Sequence, residues 1–318
     1  MDHSELELLD ATLRAAVSEA AGRDATRNVD AVVFDLGWAD MLATAPRPAT
    51  ASAFRAIGST GANASLLDDV MLHALGLEPR RDRTVVLPEF GTFVPSARGG
   101  LATARAATAT HFVVAVGDHS LATVERDRVE LRSARGIDPA FGLHRVAVVD
   151  AVDRDARSAV CVPWVDAIAA GQRAVAHQTL GACRTMLDLA RAHALEREQF
   201  GRSIARFQAV RHRLADALVA IETLAATLDV EPDRDEAADR NLLAALAKAT
   251  AGRTARTVAG HCQQVLAGIG FTTDHAFHEY AKRVLLLDGL LGSSDAIVPM
   301  LGRHAIDARR VPDLIDLR

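Results

Sequence analysis

The sequence predicts a mainly α fold with a small β unit: N-terminal helices over 1–80, a reduced middle β domain over 81–155 and a C-terminal four-helix bundle over 156–318. Three observations predict it. Helical spacing of apolar residues dominates both ends of the chain. Short β-rich runs are confined to the stretch from Arg83 to Val152. After Trp164 the helical period resumes and holds almost to the end, and 318 residues are enough for more than one structural unit.

At the N-terminus, Leu6, Leu9, Leu13 and Val17 fall at helical steps, and Gly22 is a suitable stop. From Val33 to Leu77 the same mode continues through Leu66, Val70 and Leu77, with Pro46 and Pro48 expected to break it internally. The middle unit carries four candidate strands: Thr84 to Leu87, His111 to Val116, Asp127 to Leu131 and Val146 to Val149. All are short and close together, as in a reduced barrel or sheet. In the last part, Phe207, Val210, Leu214, Leu218, Ile221, Leu224 and Leu228 step by three and four only, so one helix face is apolar. Glu231-Pro232 closes that helix, the next runs roughly from Asp235 to Ala267, and a last one spans Asp274 to Leu290 with Asp274 as N-cap. Long helices joined by short turns imply an antiparallel bundle.

Composition excludes several functions. A net charge of −5, with arginines interleaved by acids, argues against nucleic acid as a partner. Nearly all basic charge is Arg, Lys248 and Lys282 being the only lysines. Cys161, Cys183 and Cys262 lie far apart and form no CxxC pair, so no metal site or disulfide framework is indicated. The start, Met1-Asp2-His3-Ser4-Glu5, is acidic where a signal peptide is basic, and the reading expects no membrane and a cytoplasmic protein.

Two segments carry chemistry. Arg197 follows a long helix beside a Gly-containing turn, where a planar guanidinium can clamp a pyrophosphate bidentately. Gln208 and Gln264 supply neutral amides for phosphate or ribose, and Gly268 and Gly270 let a ligand approach the backbone. Taken singly, Arg197 also reads as a charge completing a helix dipole, the glutamines as surface amides, the glycines as a helix stop and Phe200 as a core or interface anchor. Arg197-Glu198-Gln199-Phe200-Gly201-Arg202-Ser203-Ile204-Ala205-Arg206-Phe207-Gln208 resembles, at every anchored position, the R-x-Q-F-G-x-x-I-x-x-F-Q signature of the acyl-CoA dehydrogenase family. Gln264 to Thr272 is similar to the family's Q-x-x-G-G-x-G-F-T turn, with Ala267 replacing the first glycine. The resemblance implies an acyl-CoA dehydrogenase-like fold. It also implies that Arg197, Gln199, Phe200, Gln208, Gln264 and Gly268 contact the adenosine diphosphate end of an FAD bound mainly by a neighbouring subunit.

The catalytic base is missing. The family removes an α proton from an acyl-CoA while a hydride passes to the flavin, which needs a carboxylate opposite the flavin. Where most members have Y-E-G-T this chain has Leu290-Leu291-Gly292-Ser293, with Leu291 at the base position. Some members place the Glu on the first bundle helix, about thirty residues before the Phe-Gly pair; Gly171 stands there, with Gln172 beside it and no acid nearer than Asp166. Asp288 and Asp295 flank the turn and read as structural or capping groups. Leu87-Pro88-Glu89 is the nearest echo of the family's flavin-covering loop, and Lys282-Arg283 replaces its usual Arg-Asp pair, leaving the local salt bridge open. The resemblance therefore points to the short, non-catalytic subunit of actinobacterial α2β2 acyl-CoA dehydrogenases of the steroid side-chain type. Its implied partner is a larger catalytic subunit that holds the acyl-CoA. Two alternatives are an autonomous flavoenzyme of the same fold, dehydrogenase or monooxygenase-like, and a non-enzymatic scaffold.

Overall fold

The computed structural model describes residues 3–22, 28–116, 120–149, 157–159, 163–230 and 237–309. The expected turn at 231–232 and the helix start at Asp235 lie outside these residues, as do Cys161 and most of the junction near 155.

Five helices open the chain: α1 (His3–Gly22), α2 (Val29–Asp35), α3 (Trp38–Thr44), α4 (Pro46–Thr60) and α5 (Leu66–Ala74). Leu13 and Val17 of α1 are fully buried, as their spacing requires. Asn28 caps α2 by accepting from the Asp30 N–H at 2.9 Å. The helical stretch breaks at Pro46 as expected, α3 ending at Thr44 and Pro46 being the first residue of α4, where its missing N–H costs nothing and its fixed φ suits the first turn; Pro48 lies in that same first turn and makes no second break.

The middle unit is two small sheets. One orders β1 (Arg83–Val85), β3 (His111–Ala115), β4 (Ser120–Glu125) and β7 (Arg157–Ala159), with β1 parallel to β3; the other orders β2 (Gly99–Ala102), β6 (His144–Val148) and β5 (Val129–Ser133). They join where the Leu87 N–H donates to the Leu101 carbonyl at 2.7 Å. Three strands, β2, β4 and β7, were not among those expected, and β5 begins at Val129 because Asp127 and Arg128 lie in a 3-10 turn. β2 escapes a propensity reading because it opens with two glycines, and packing demands the second of them: a Cβ on Gly100 would stand 2.0 Å from the Leu87 carbonyl oxygen.

The C-terminal part comprises α6 (Trp164–Glu196), a two-strand hairpin of β8 (Glu198–Gln199) and β9 (Arg202–Ser203), α7 (Gln208–Asp229), α8 (Ala237–Leu266), α9 (Phe277–Gly289) and α10 (Ser294–Ala308). Ile221, Leu224 and Leu228 are buried as expected, but Leu218 is 48% exposed and Ala217 is buried instead. The small residue is the one that packs into the bundle core. Asp274 is not the cap of α9: the helix starts at Phe277, whose N–H is accepted by His275 Nδ1 at 3.2 Å. Phe277–Ala308 is by composition long and apolar enough to cross a membrane, yet it is two helices meeting at the 290–293 turn, and half of its most apolar window is buried.

The three parts are tied through charged side chains that sequence periodicity does not reveal. Arg105, almost fully buried, grips Asp69 with both terminal nitrogens, and Asp68 accepts from Thr84, Thr103 and the Val85 N–H. Burial pushes Asp69 up to about 7 against the pull of Arg105. Arg283 of α9 donates to Asp138, to Asn63 Oδ1 at 2.7 Å and to the Gly61 and Ala62 carbonyls, with its guanidinium 4.9 Å above the Phe141 ring. The salt bridge left open at Lys282-Arg283 is thus made, with a partner in the β unit.

Candidate cofactor-contact end and the closed base position

Arg197 terminates α6: its N–H donates to the His193 carbonyl at 2.8 Å, and its own carbonyl accepts from the Ile204 N–H at 2.8 Å. The chain then makes a two-residue hairpin turn in which Phe200 (φ 56°) and Gly201 (φ 75°) are both left-handed. A bulky residue seldom holds that conformation, and Phe200 does so with 92% of its surface exposed. Its ring meets Phe207 edge-on at 6.0 Å, and the Arg202 guanidinium lies 4.5 Å above the Phe207 centroid. Gln199 is exposed on β8, and Gln208, the first residue of α7, is exposed with its amide 3.4 Å from His212 Nε2.

The second segment leaves the same end of the bundle, since α7 runs back between α6 and α8. Gln264 is exposed in the last turn of α8, and Ala267 (φ 52°) enters a short 3-10 turn to Phe271. Ala267 takes the left-handed conformation that the glycine it replaces adopts freely. Gly268 is exposed, and a Cβ there would meet nothing within 4 Å, so no contact inside the described chain demands the glycine. His193 lies one turn before Arg197; burial first, then nearby His275 and Arg197, hold its imidazole below its ordinary value, with Glu196 opposing. All six residues picked out by sequence stand at this end. His193 and His275 were missed because neither has a motif of its own.

This donor set fits the diphosphate end of an FAD. Among the described residues the Arg197 guanidinium has no hydrogen bond or ion pair, two or three amides face solvent, and a bare backbone stretch lies beside them. The flavin-ring end is another matter. Leu291 is 1% exposed with φ 57°, and a Cβ built on Gly171 would stand 2.5 Å from Leu291 Cδ1 and 3.2 Å from Met71 Sδ. The two alternative base positions therefore touch one another, and hydrocarbon fills the space between them.

Polar groups hold the turn shut from behind. Gln172 Nε2 donates to the Leu291 carbonyl at 2.9 Å, and Lys248, 1% exposed, donates to the Asp288 and Gly292 carbonyls at 2.7 and 2.8 Å. Burial lowers Lys248 to about 8, with Asp288 opposing. From the front, the Phe90 ring sits where a Cβ of Gly289 would go, Phe93 packs on Gly292, and Gly91 exchanges backbone bonds with Gly289 and Ser293. Asp288 accepts from the Ser294 N–H at 3.0 Å and from Arg256 at 2.9 Å, whereas Asp295 is 86% exposed and paired to Arg256. Lys248 carries no motif of its own and sits in an Ala-rich helix, so its role at this turn is visible only in the fold.

Helices, twin small sheets and a long bundle in this order define the class: the chain has the acyl-CoA dehydrogenase fold. Residues 166–306 match the family model for the acyl-CoA dehydrogenase C-terminal domain. Among relatives, acyl-CoA dehydrogenase FadE34 of Mycobacterium tuberculosis is 38% identical over 38% of this chain and 17% of its own length. Acyl-CoA dehydrogenase IpdE2 of Mycolicibacterium smegmatis is 34% identical over 37% of each. The matched stretches thus span well under half of these relatives. Among solved structures, a chain of the Tcur3481-Tcur3483 steroid ACAD superposes with a TM-score of 0.77 at 21% identity, covering 96% of this chain and 99% of that one. A chain of the ChsE4-ChsE5 complex from Mycobacterium tuberculosis gives 0.77 at 20% identity, covering 98% and 99%. At such identity these likenesses show a common fold.

Proposed function

We propose that this chain is the non-catalytic accessory subunit of an FAD-dependent acyl-CoA dehydrogenase, completing the FAD site of a larger catalytic partner in an α2β2 assembly in the cytoplasm. One observation carries the reading. Leu291 packs against Gly171 and closes both places where a base could stand, while the bundle end keeps an uncommitted guanidinium, exposed amides and an open glycine. An aliphatic side chain cannot accept a proton, so α-proton abstraction belongs to another polypeptide. The two solved chains named above come from two-component assemblies, which supports a partner subunit for this one.

In this scheme FAD, when bound, accepts the hydride. This chain's residues do the rest at its diphosphate end. Arg197 pairs with the diphosphate, where a charge-assisted fork is stronger than a neutral contact. Gln208 and Gln264 bond to phosphate or ribose oxygens, Gln199 flanks them, and Gly268 lets the cofactor lie against the backbone. Phe200 offers an apolar face that a partner would cover.

The experiment is purification with and without a longer family member, measuring flavin per chain and desaturation of a CoA thioester, then repeating with Arg197→Ala. Flavin and activity in the complex only, both reduced by the substitution, are the expected result. Turnover by the isolated chain refutes the accessory role, and an Arg197→Ala complex with undiminished flavin refutes the clamp.

A further inference from the structure

We infer that the diphosphate-binding end of the bundle is proton-linked: His193 takes up a proton when a diphosphate ester binds beside Arg197, so the site holds its anion more tightly as pH falls. The inference rests on the reading of Arg197 as a diphosphate clamp and adds a regulation to it.

Geometry supports the link. His193 and Arg197 are four residues apart on α6, hence on one face of one turn, and the Arg197 N–H is bonded to the His193 carbonyl. The groups acting on this imidazole are Arg197 and Glu196 from its own helix and His275 from the start of α9. His275 Nδ1 accepts the Phe277 N–H at 3.2 Å, and the His275 carbonyl accepts from His278 Nδ1. No such bond engages the His193 ring among the described residues. With no anion present, burial first, then His275 and the Arg197 guanidinium, disfavour imidazolium. A diphosphate reverses the sign of the local field, and an opposite charge at close range favours the charged form. Proton uptake and anion binding are then reciprocal, each strengthening the other by the same factor.

The test uses the flavin-depleted complex of this chain with the longer family member and ADP-ribose as probe, whose doubly esterified diphosphate does not titrate between pH 5.5 and 8, following the Arg197 Nε–H and His193 Cε1–H signals by NMR across that range. ADP-ribose should shift the Arg197 signal and raise the His193 titration midpoint by about one unit, with affinity rising up to about tenfold as pH falls. His193→Gln should abolish the pH dependence. If ADP-ribose moves Arg197 but leaves the His193 midpoint and the pH profile flat, the proton link is wrong and the clamp stands. If ADP-ribose moves neither signal, the clamp fails and the link fails with it.

Discussion

Replacing Leu291 by glutamate restores, on paper, the residue that a catalytic turn would carry. The structure predicts that it yields a damaged protein and no enzyme. The position is 1% exposed and faces Gly171 and Met71, so the new carboxyl has no water and no donor on that side. A carboxyl buried among apolar groups is pushed upward by several units, and a rise of about 3 units costs about 4 kcal/mol at neutral pH. The sign follows from linkage. A folded-state pKa above the unfolded value of about 4.3 gives no penalty below that value, and a growing penalty as pH rises to the folded pKa. Thermal unfolding of Leu291→Glu against wild type should therefore show a deficit of about 10 °C at pH 7.5, at about 2–4 °C per kcal/mol, shrinking towards pH 5. Leu291→Gln, which cannot ionise, should show a deficit independent of pH. No CoA-thioester desaturation should appear in the isolated variant. A Leu291→Glu chain as stable at pH 7.5 as at pH 5 would mean the carboxylate has found Lys248 or solvent, and the sealed locus described above would be wrong.

Three other substitutions test the framework. Arg283→Met removes the partner of buried Asp138 and the donor to Asn63 and two carbonyls, and should cost about 3–5 kcal/mol by denaturant titration, the range for breaking a buried pair. Gly181→Ala should destabilise by at least 2 kcal/mol rather than gain the usual helix-propensity benefit of about 1 kcal/mol, because its Cβ would stand 2.2 Å from the Arg55 carbonyl oxygen of α4; a neutral or stabilising result would show that α4 and α6 can separate freely. His177, buried and receiving a hydrogen bond on Nδ1 from Arg55, is held well below its ordinary pKa by burial and then by Arg55 and Arg173. The unfolded imidazole takes a proton below about 6.5 and the folded one does not, so stability should fall by up to about 1.4 kcal/mol per pH unit below that point, and His177→Gln should flatten the slope.

Periodicity made the helices legible, because a helix that buries one face must repeat its apolar residues at three and four. It misled at Leu218, where the outward turn of the helix carries a leucine and the inward position an alanine; a pattern of hydrophobicity cannot see that close approach favours the smaller residue. β2 was invisible for a related reason, since Gly99 and Gly100 are chosen by the carbonyls pressed against them. The residues proposed to face a diphosphate lie in two short, ordered segments, which is why a sequence can single them out. Lys248, Arg105 and Arg283 could not: each is a polar group buried by residues remote in sequence, and only the fold supplies the carbonyls and carboxylates that make its burial tolerable.

Gly171 and Leu291 are fitted to one another by packing. A side chain at 171 would have to displace the Leu291 methyl, and leucine at 291 keeps a left-handed backbone with its carbonyl fixed by Gln172 and the next one by Lys248. The turn is thus held in its strained shape by buried donors although its side chain has no proton chemistry to perform. Phe90 and Phe93 depend on that shape, because they pack on Gly289 and Gly292, and Gly91 between them makes the backbone bonds to Gly289 and Ser293. The turn thereby serves as a joint between two parts of the molecule. Strain is then retained for assembly of the fold, whereas the left-handed Phe200, 92% exposed, meets the Phe207 ring edge-on and has no comparable packing among the described residues.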